Sequence, residues 1–209
     1  MGNGPFAAYV QQGVWHIWSG TDHILFLMAL LLPAVLVRVD GRWLPVTTFR
    51  AALIAVVKTV TAFTVAHSIT LTLAALGYIH APSRLVESAI AASVLIAALN
   101  NVVPLFKSHS VLDRAWLMAF VFGLVHGLGF ANVLFELGLP RQTLLLALVG
   151  FNVGVELGQL AIVAVFLPTA FLLRGTTLYA RAVMQAGSAA IMVLAAVWFV
   201  ERAFAVELI

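Results

Sequence analysis

Six apolar runs, at roughly 14–37, 51–78, 84–104, 113–137, 143–172 and 181–204, leave this chain few folds to choose from. A bilayer core about 30 Å thick is crossed by about 20 apolar residues in a helix. Backbone polar groups in hydrocarbon must be satisfied within the segment, so such runs fold as helices. Composition points the same way. Hydrophobic residues make up 63% of the chain and charged residues 9%, against about 25% charged in a soluble domain. The expected fold is all-α: a polytopic transmembrane helical bundle of about six spans, one integral membrane domain over 1–209, with the lipid bilayer as its surroundings.

The connections are short and hold the helix breakers: Asp40-Gly41-Arg42 with Pro45, Ala81-Pro82-Ser83, Lys107 to Asp113, Gly138-Leu139-Pro140 and Arg174-Gly175. Arg38, Arg42, Arg50, Lys58, Lys107, Arg114, Arg174 and Arg181 belong to one set of loops and adjoining helix ends. Arg84, Arg141 and Arg202 belong to the other. Because basic residues stay on the cytoplasmic side, the expected location is a bacterial inner membrane with both termini extracytoplasmic. These scattered cations form no basic stripe, so no nucleic-acid partner is expected. Trp15, Trp18, Trp43, Trp116 and Trp198 fall near span ends, as in an aromatic belt. No strong internal repeat stands out, although the first and fourth spans both carry His and Gly, as a weak three-plus-three repeat would.

Ionisable groups inside such spans are expensive and mark functional positions. Counting about 1.5 Å per helical residue from the outer ends puts Asp22 and His23 about 12–14 Å deep. His67 and His126 come out at about 16 Å, and Asn152 and Glu156 at about 14 and 20 Å. His16 and His23 are seven residues apart and share a face if the helix is continuous. A break near Gly20, with Ser19 or Thr21 as cap, would also turn both towards one cavity. Imidazoles and a carboxylate form a ligand set for a divalent transition metal. Cysteine is absent, so thiolate sites are excluded and Ni²⁺, Co²⁺ or Zn²⁺ is expected. His16, Asp22, His23, His67 and His126 are the candidate ligands. Ser68, Asn152 and Glu156 are candidates for supporting or proton-carrying roles. Gly123 and Gly127, and Gly150, Gly154 and Gly158, repeat every four residues and suit close helix packing. Arg84 and Glu87, one turn apart, suggest an interfacial ion pair. Asn100 and Asn101 suggest structural capping, and His80 and His109 fall in or near loops.

The segment His16-Ile-Trp-Ser19-Gly20-Thr-Asp22-His23 resembles the signature of the HupE/UreJ family of membrane proteins, associated with nickel supply to hydrogenase and urease. Four further stretches resemble its HupE/UreJ_2-like branch. They are Phe63-Thr-Val-Ala-His67-Ser68-Ile-Thr-Leu71, Ser83-Arg84-Leu-Val-Glu87, Phe122-Gly-Leu-Val-His126-Gly127-Leu-Gly129-Phe130-Ala131 and Phe151-Asn152-Val-Gly154-Val-Glu156-Leu-Gly158-Gln159. The resemblance implies a nickel- or cobalt-type permease with a His/Asp metal site in its first span. The residues alone leave a second class open: an intramembrane zinc-dependent hydrolase using the same His/Asp/Glu cluster, with Asp22 or Glu156 as general base.

Overall fold

Pro33 and Gly20 divide the first apolar run into pieces that sequence length alone does not reveal. In the computed structural model, which describes residues 5–39, 42–103, 111–129 and 141–208, α1 spans Pro5–Ser19 and α2 spans Thr21–Leu31. Gly20 separates them with an extended ψ of 96°. The break is where the sequence allows it, but neither Ser19 nor Thr21 caps α2. Gly20 is the N-cap residue, without a side-chain bond, and the Ser19 hydroxyl donates to the Trp15 carbonyl one turn back.

After Leu31 the chain does not continue as the helix expected to residue 37. Pro33 lacks an N–H and ends the α-helix, and alternating β-branched residues follow. Leu36–Val39 (β1) pairs antiparallel with Arg42–Pro45 (β2), Val37 opposite Leu44 and Arg38 opposite Trp43. This small hairpin is the one non-helical unit among the described residues.

Long helices make up the rest: α3 Phe49–Ala75, α4 Ser83–Val102, α5 Val111–Gly129, α6 Arg141–Leu173 and α7 Gly187–Phe204, which continues a π-helical stretch at Tyr179–Ala186. Four described segments are long and apolar enough to cross a membrane: Phe49–Ala75, Ser83–Val102, Thr143–Leu173 and Tyr179–Phe204. Thr21–Leu31 and Ala115–Gly129 are shorter apolar helices. The far end of the fourth expected span, beyond Gly129, lies outside the described residues, as do Lys107 and His109. The molecule is therefore an all-α integral membrane bundle. Pro168 does not end α6, which runs on to Leu173.

Three helix pairs organise the bundle: α1 with α6, α3 with α5, and α4 with α7. Glycines set the first two. A Cβ on Gly13 would collide with the Phe151 carbonyl, and one on Gly154 with the Val10 carbonyl. A Cβ on Gly123 would lie 2.6 Å from the Phe63 carbonyl. Such small-residue seams let backbones approach where the hydrophobic effect gives no drive between helices. At each of these three positions an added methyl would meet the backbone of the facing helix. Arg84 does not pair with Glu87; it donates to the carbonyls of Arg202 and Ala203 at the end of α7. Asn101 is buried and structural, donating to the Ala29 carbonyl at 2.7 Å and to Ser188 Oγ at 3.2 Å. Near the start of α3, Lys58 places its ammonium 4.5 Å from the Trp116 ring centre.

Candidate metal centre

Seven residues in a continuous helix rise about 10.5 Å, too far for the rings of His16 and His23 to touch. The break at Gly20 closes that gap, leaving the ring centres 4.5 Å apart. A side chain at residue 20 would press on the His16 carbonyl at 2.7 Å and His23 Nδ1 at 2.9 Å, so the tight corner requires glycine. His67 on α3 has its ring centre 6.0 Å from that of His16 and 6.1 Å from that of His23. His126 on α5 lies 5.0 Å from His23. Four helices thus bring four imidazoles into one buried cluster with Asp22.

Two groups of donors lie close enough to share an ion: His16, His23 and His67, and Asp22, His23 and His126, each with ligand atoms within 4.8 Å of one another. His23 belongs to both. His67 is fully buried, His126 is 1% exposed and His23 5%, so water cannot easily satisfy these rings.

Hydrogen bonds fix which nitrogen carries the lone pair in three of the rings, those of His23, His67 and His126. A carboxylate oxygen only accepts, so His23 Nδ1 donates to Asp22 Oδ1, 3.1 Å away. Asn152 Nδ2 donates to the Leu148 carbonyl at 2.8 Å. Its Oδ1 therefore faces His67 Nδ1, at 3.4 Å, as acceptor. Ser93 spends its one hydroxyl proton on the Ile90 carbonyl at 2.7 Å, so at 2.9 Å it can only accept from His126 Nε2. The atoms left with lone pairs are His23 Nε2, His67 Nε2 and His126 Nδ1. All three are buried and have no hydrogen-bond partner among the described residues. Buried polar atoms without partners are costly and call for an explanation. Lone-pair nitrogens, oriented by a bond at the other ring position, are what a metal ion requires.

Aromatic rings enclose the cluster. Phe63 stacks near His67 at 5.9 Å and stands edge-on to His126 at 5.3 Å. Phe26 lies 5.1 Å from His126, and Phe151 5.1 Å from His16. The sequence reading missed these phenylalanines and Ser93. Phe63 stands one turn before His67 on the same face, a legible sign; Ser93, on an Ala-rich span, carries none.

The remaining candidates take other places. Asn152 reaches His67 directly, through its Oδ1. Ser68 donates to the Thr64 carbonyl at 2.6 Å. It lines a groove of about 610 Å³ between α3 and α6, together with Thr61, Thr64, Thr72, Asn152 and Glu156. Glu156 accepts from Thr61 Oγ1 at 2.7 Å, and its other oxygen is buried with no partner among the described residues. Gly150, Gly154 and Gly158 turn towards α1, while Gly123 and Gly127 turn towards α3. His80 is exposed.

Comparison with known proteins bears on this geometry. Residues 2–202 match the profile of a family described as HupE / UreJ protein. No curated protein and no solved structure matches the chain.

Proposed function

The chain belongs to the HupE/UreJ family, and from that premise we propose that it is a nickel- or cobalt-type permease whose cargo passes through the histidine cluster. The observation that carries the reading is the set of buried lone pairs on His23 Nε2, His67 Nε2 and His126 Nδ1, with no protein partner among the described residues. Neutral imidazole and carboxylate suit Ni²⁺, Co²⁺ and Zn²⁺. Asp22 supplies negative charge and holds His23 in its ligating tautomer. His16, Asp22, His23, His67 and His126 are the proposed ligands. Two overlapping donor sets, sharing His23, suit a cargo that must be held and passed on. A resident cofactor needs one closed set.

In this reading both termini are extracytoplasmic in a bacterial inner membrane, by the asymmetry of Lys and Arg. Glu156 offers a charge close to the path, and Asn152 links its groove to His67.

A second reading, an intramembrane zinc-dependent hydrolase, draws on that same groove, which opens sideways between α3 and α6 as a lipid or peptide substrate would need. One experiment separates the two. Purified protein in proteoliposomes is loaded with radioactive nickel or cobalt and followed across the membrane, with bound metal quantified in parallel. Uptake that disappears in His23→Ala supports the permease. Tightly retained zinc at unit stoichiometry without flux supports the hydrolase and sinks the permease.

A further inference from the structure

The two glycine seams repeat one another. Gly13-Val-Trp-His16 on α1 matches Gly123-Leu-Val-His126 on α5. Phe63-Thr-Val-Ala66 on α3 matches Phe151-Asn-Val-Gly154 on α6, with Thr70 opposite Gly158 in the same alignment. On α4 the residues Arg84, Val86, Ala89, Ala92 and Ala98 recur at the same spacing as Arg181, Val183, Ala186, Ala189 and Ala195.

The contacts repeat as well. A Cβ on Gly13 meets the Phe151 carbonyl and lies 2.9 Å from Gly154. A Cβ on the matching Gly123 meets the matching Phe63 carbonyl at 2.6 Å and lies 3.0 Å from Ala66. Gly158 packs on Ile17, and at the equivalent place Thr70 packs on Gly127. Sequence equivalence and spatial equivalence thus agree at three contacts, two made by Gly13 and its match Gly123 and one further along the seams. α1 runs parallel to α6 and α3 parallel to α5, while α4 runs antiparallel to α7, since Arg84 meets Arg202 and Asn101 meets Ser188. A dyad exchanging the first three spans with the last three produces this pattern, and an odd number of spans per half inverts one half against the other.

We propose that the chain is an inverted repeat, and that it works by exchanging the conformations of its two halves. The unit α1–α6 rocks against the unit α3–α5 about an axis between α3 and α6. Each unit is fixed internally by its glycine seam. The groove on the axis is lined by equivalent residues of both halves: Thr64 and Asn152, Val65 and Val153, Ser68 and Glu156. The histidine cluster straddles the two units: His16 comes from one, His67 and His126 from the other, and His23 lies on the segment that leaves α1. Ligands contributed by both units tie cargo binding to their relative position. The repeat is broken where chemistry is asymmetric, with His67 matched by Val155 and Ser68 by Glu156.

The exchange rests on the permease reading, and its test has a separate readout. The chain has no cysteine, so spin labels can be placed at will. Ile69 with Leu145 reports one end of the α3–α6 contact, and Val57 with Leu157 is the equivalent pair at the other end. All four side chains are exposed apolar positions. Distances are measured by pulsed EPR in lipid nanodiscs with and without Zn²⁺. The expected result is a see-saw of several ångströms: one pair shortens as the other lengthens, and each pair's distance in one state becomes the other pair's in the second state. His23→Ala removes the response to Zn²⁺. Pairs that stay fixed, or that move in the same sense, overturn the exchange. Nickel uptake by the unlabelled chain tests the permease reading on its own. Uptake with fixed pairs overturns the exchange alone; a see-saw without uptake overturns transport and leaves the repeat standing.

Discussion

The histidine cluster and the α3–α6 groove share one hydrogen bond, His67 to Asn152, and differ in almost everything else. The cluster is enclosed by Phe26, Phe63 and Phe151, its three best-buried rings each have one nitrogen committed and one free, and it is built across a glycine corner that tolerates no side chain. The groove is open at its side, lined by hydroxyls of which Thr61 and Thr64 bond side chains of α6 and Ser68 its own backbone, and holds one carboxylate with a single partner among the described residues. Rigid preorganisation belongs to the place where affinity is set. Loose polar lining belongs to a place that a cargo or a proton crosses. If that contrast is correct, substitutions in the cluster act on binding and substitutions in the groove act on passage.

The largest effect is expected at His23, the one ligand shared by both donor sets. His23→Ala should lower affinity for Ni²⁺, Co²⁺ and Zn²⁺ by more than the ~10–100-fold typical of losing an outer partner. Isothermal titration in detergent measures it, with the exposed His80→Ala as the control that keeps wild-type affinity. Equal affinity in the two variants would remove the cluster from the site.

Next come the glycines that hold the cluster together. A methyl at Gly123 faces a backbone carbonyl at 2.6 Å, a neighbour that cannot rotate away. Gly123→Ala should destabilise the protein by about 1–3 kcal/mol, the usual cost of overpacking, and lower its thermal midpoint in detergent. Gly175 has open space around it, so Gly175→Ala should leave packing untouched. A matching drop in both variants would show that the α3–α5 seam is not the constraint described.

A third effect tests the tautomers. Ser93→Ala removes the acceptor that holds the Nε2 proton of His126, and should cost about 10–100-fold in metal affinity, as outer partners of ligands do. Wild-type affinity in Ser93→Ala would mean that the tautomer of His126 does not govern the site.

Much of this contrast was readable from the chain, for physical reasons that also mark the limit. Helix length against bilayer thickness places His23, His67 and His126 at similar depth, because rise per residue is fixed. Gly20 between two histidines marks the break. Lateral neighbours are another matter. A helix in lipid is apolar on both its packed and its exposed faces, so the periodicity that identifies the inward face of a soluble helix is muted. Nothing in the sequence therefore says that Asn152 would meet His67, or that Arg84 would leave Glu87 for the end of α7. The hairpin at Leu36–Val39 and Arg42–Pro45 was hidden because apolar strand and apolar helix read alike until Pro33 is weighed as a stop.

Glu156 gives the smallest effect on affinity and the sharpest test of the division between the two regions. Its Oε1 accepts from Thr61, and its Oε2 is buried without a partner among the described residues. Glu156→Gln keeps the shape and the acceptor for Thr61 but removes the charge and the titration. Because the residue lies in the groove and belongs to neither donor set, equilibrium binding should change by less than about 3-fold, within the ~0.6 kcal/mol scale of thermal energy. Uptake should respond differently. A carboxylate in a low-dielectric groove can neutralise a passing cation or carry a compensating proton, and an amide can do neither. Nickel uptake into proteoliposomes should therefore slow in the Gln variant and lose its dependence on an imposed pH gradient. Were binding to collapse instead, Glu156 would belong to the cluster and the two regions would be one site. Were both binding and uptake to match the wild type at every pH, the groove would be a lipid-filled crevice, and the path of the ion would have to be sought on another side of His67.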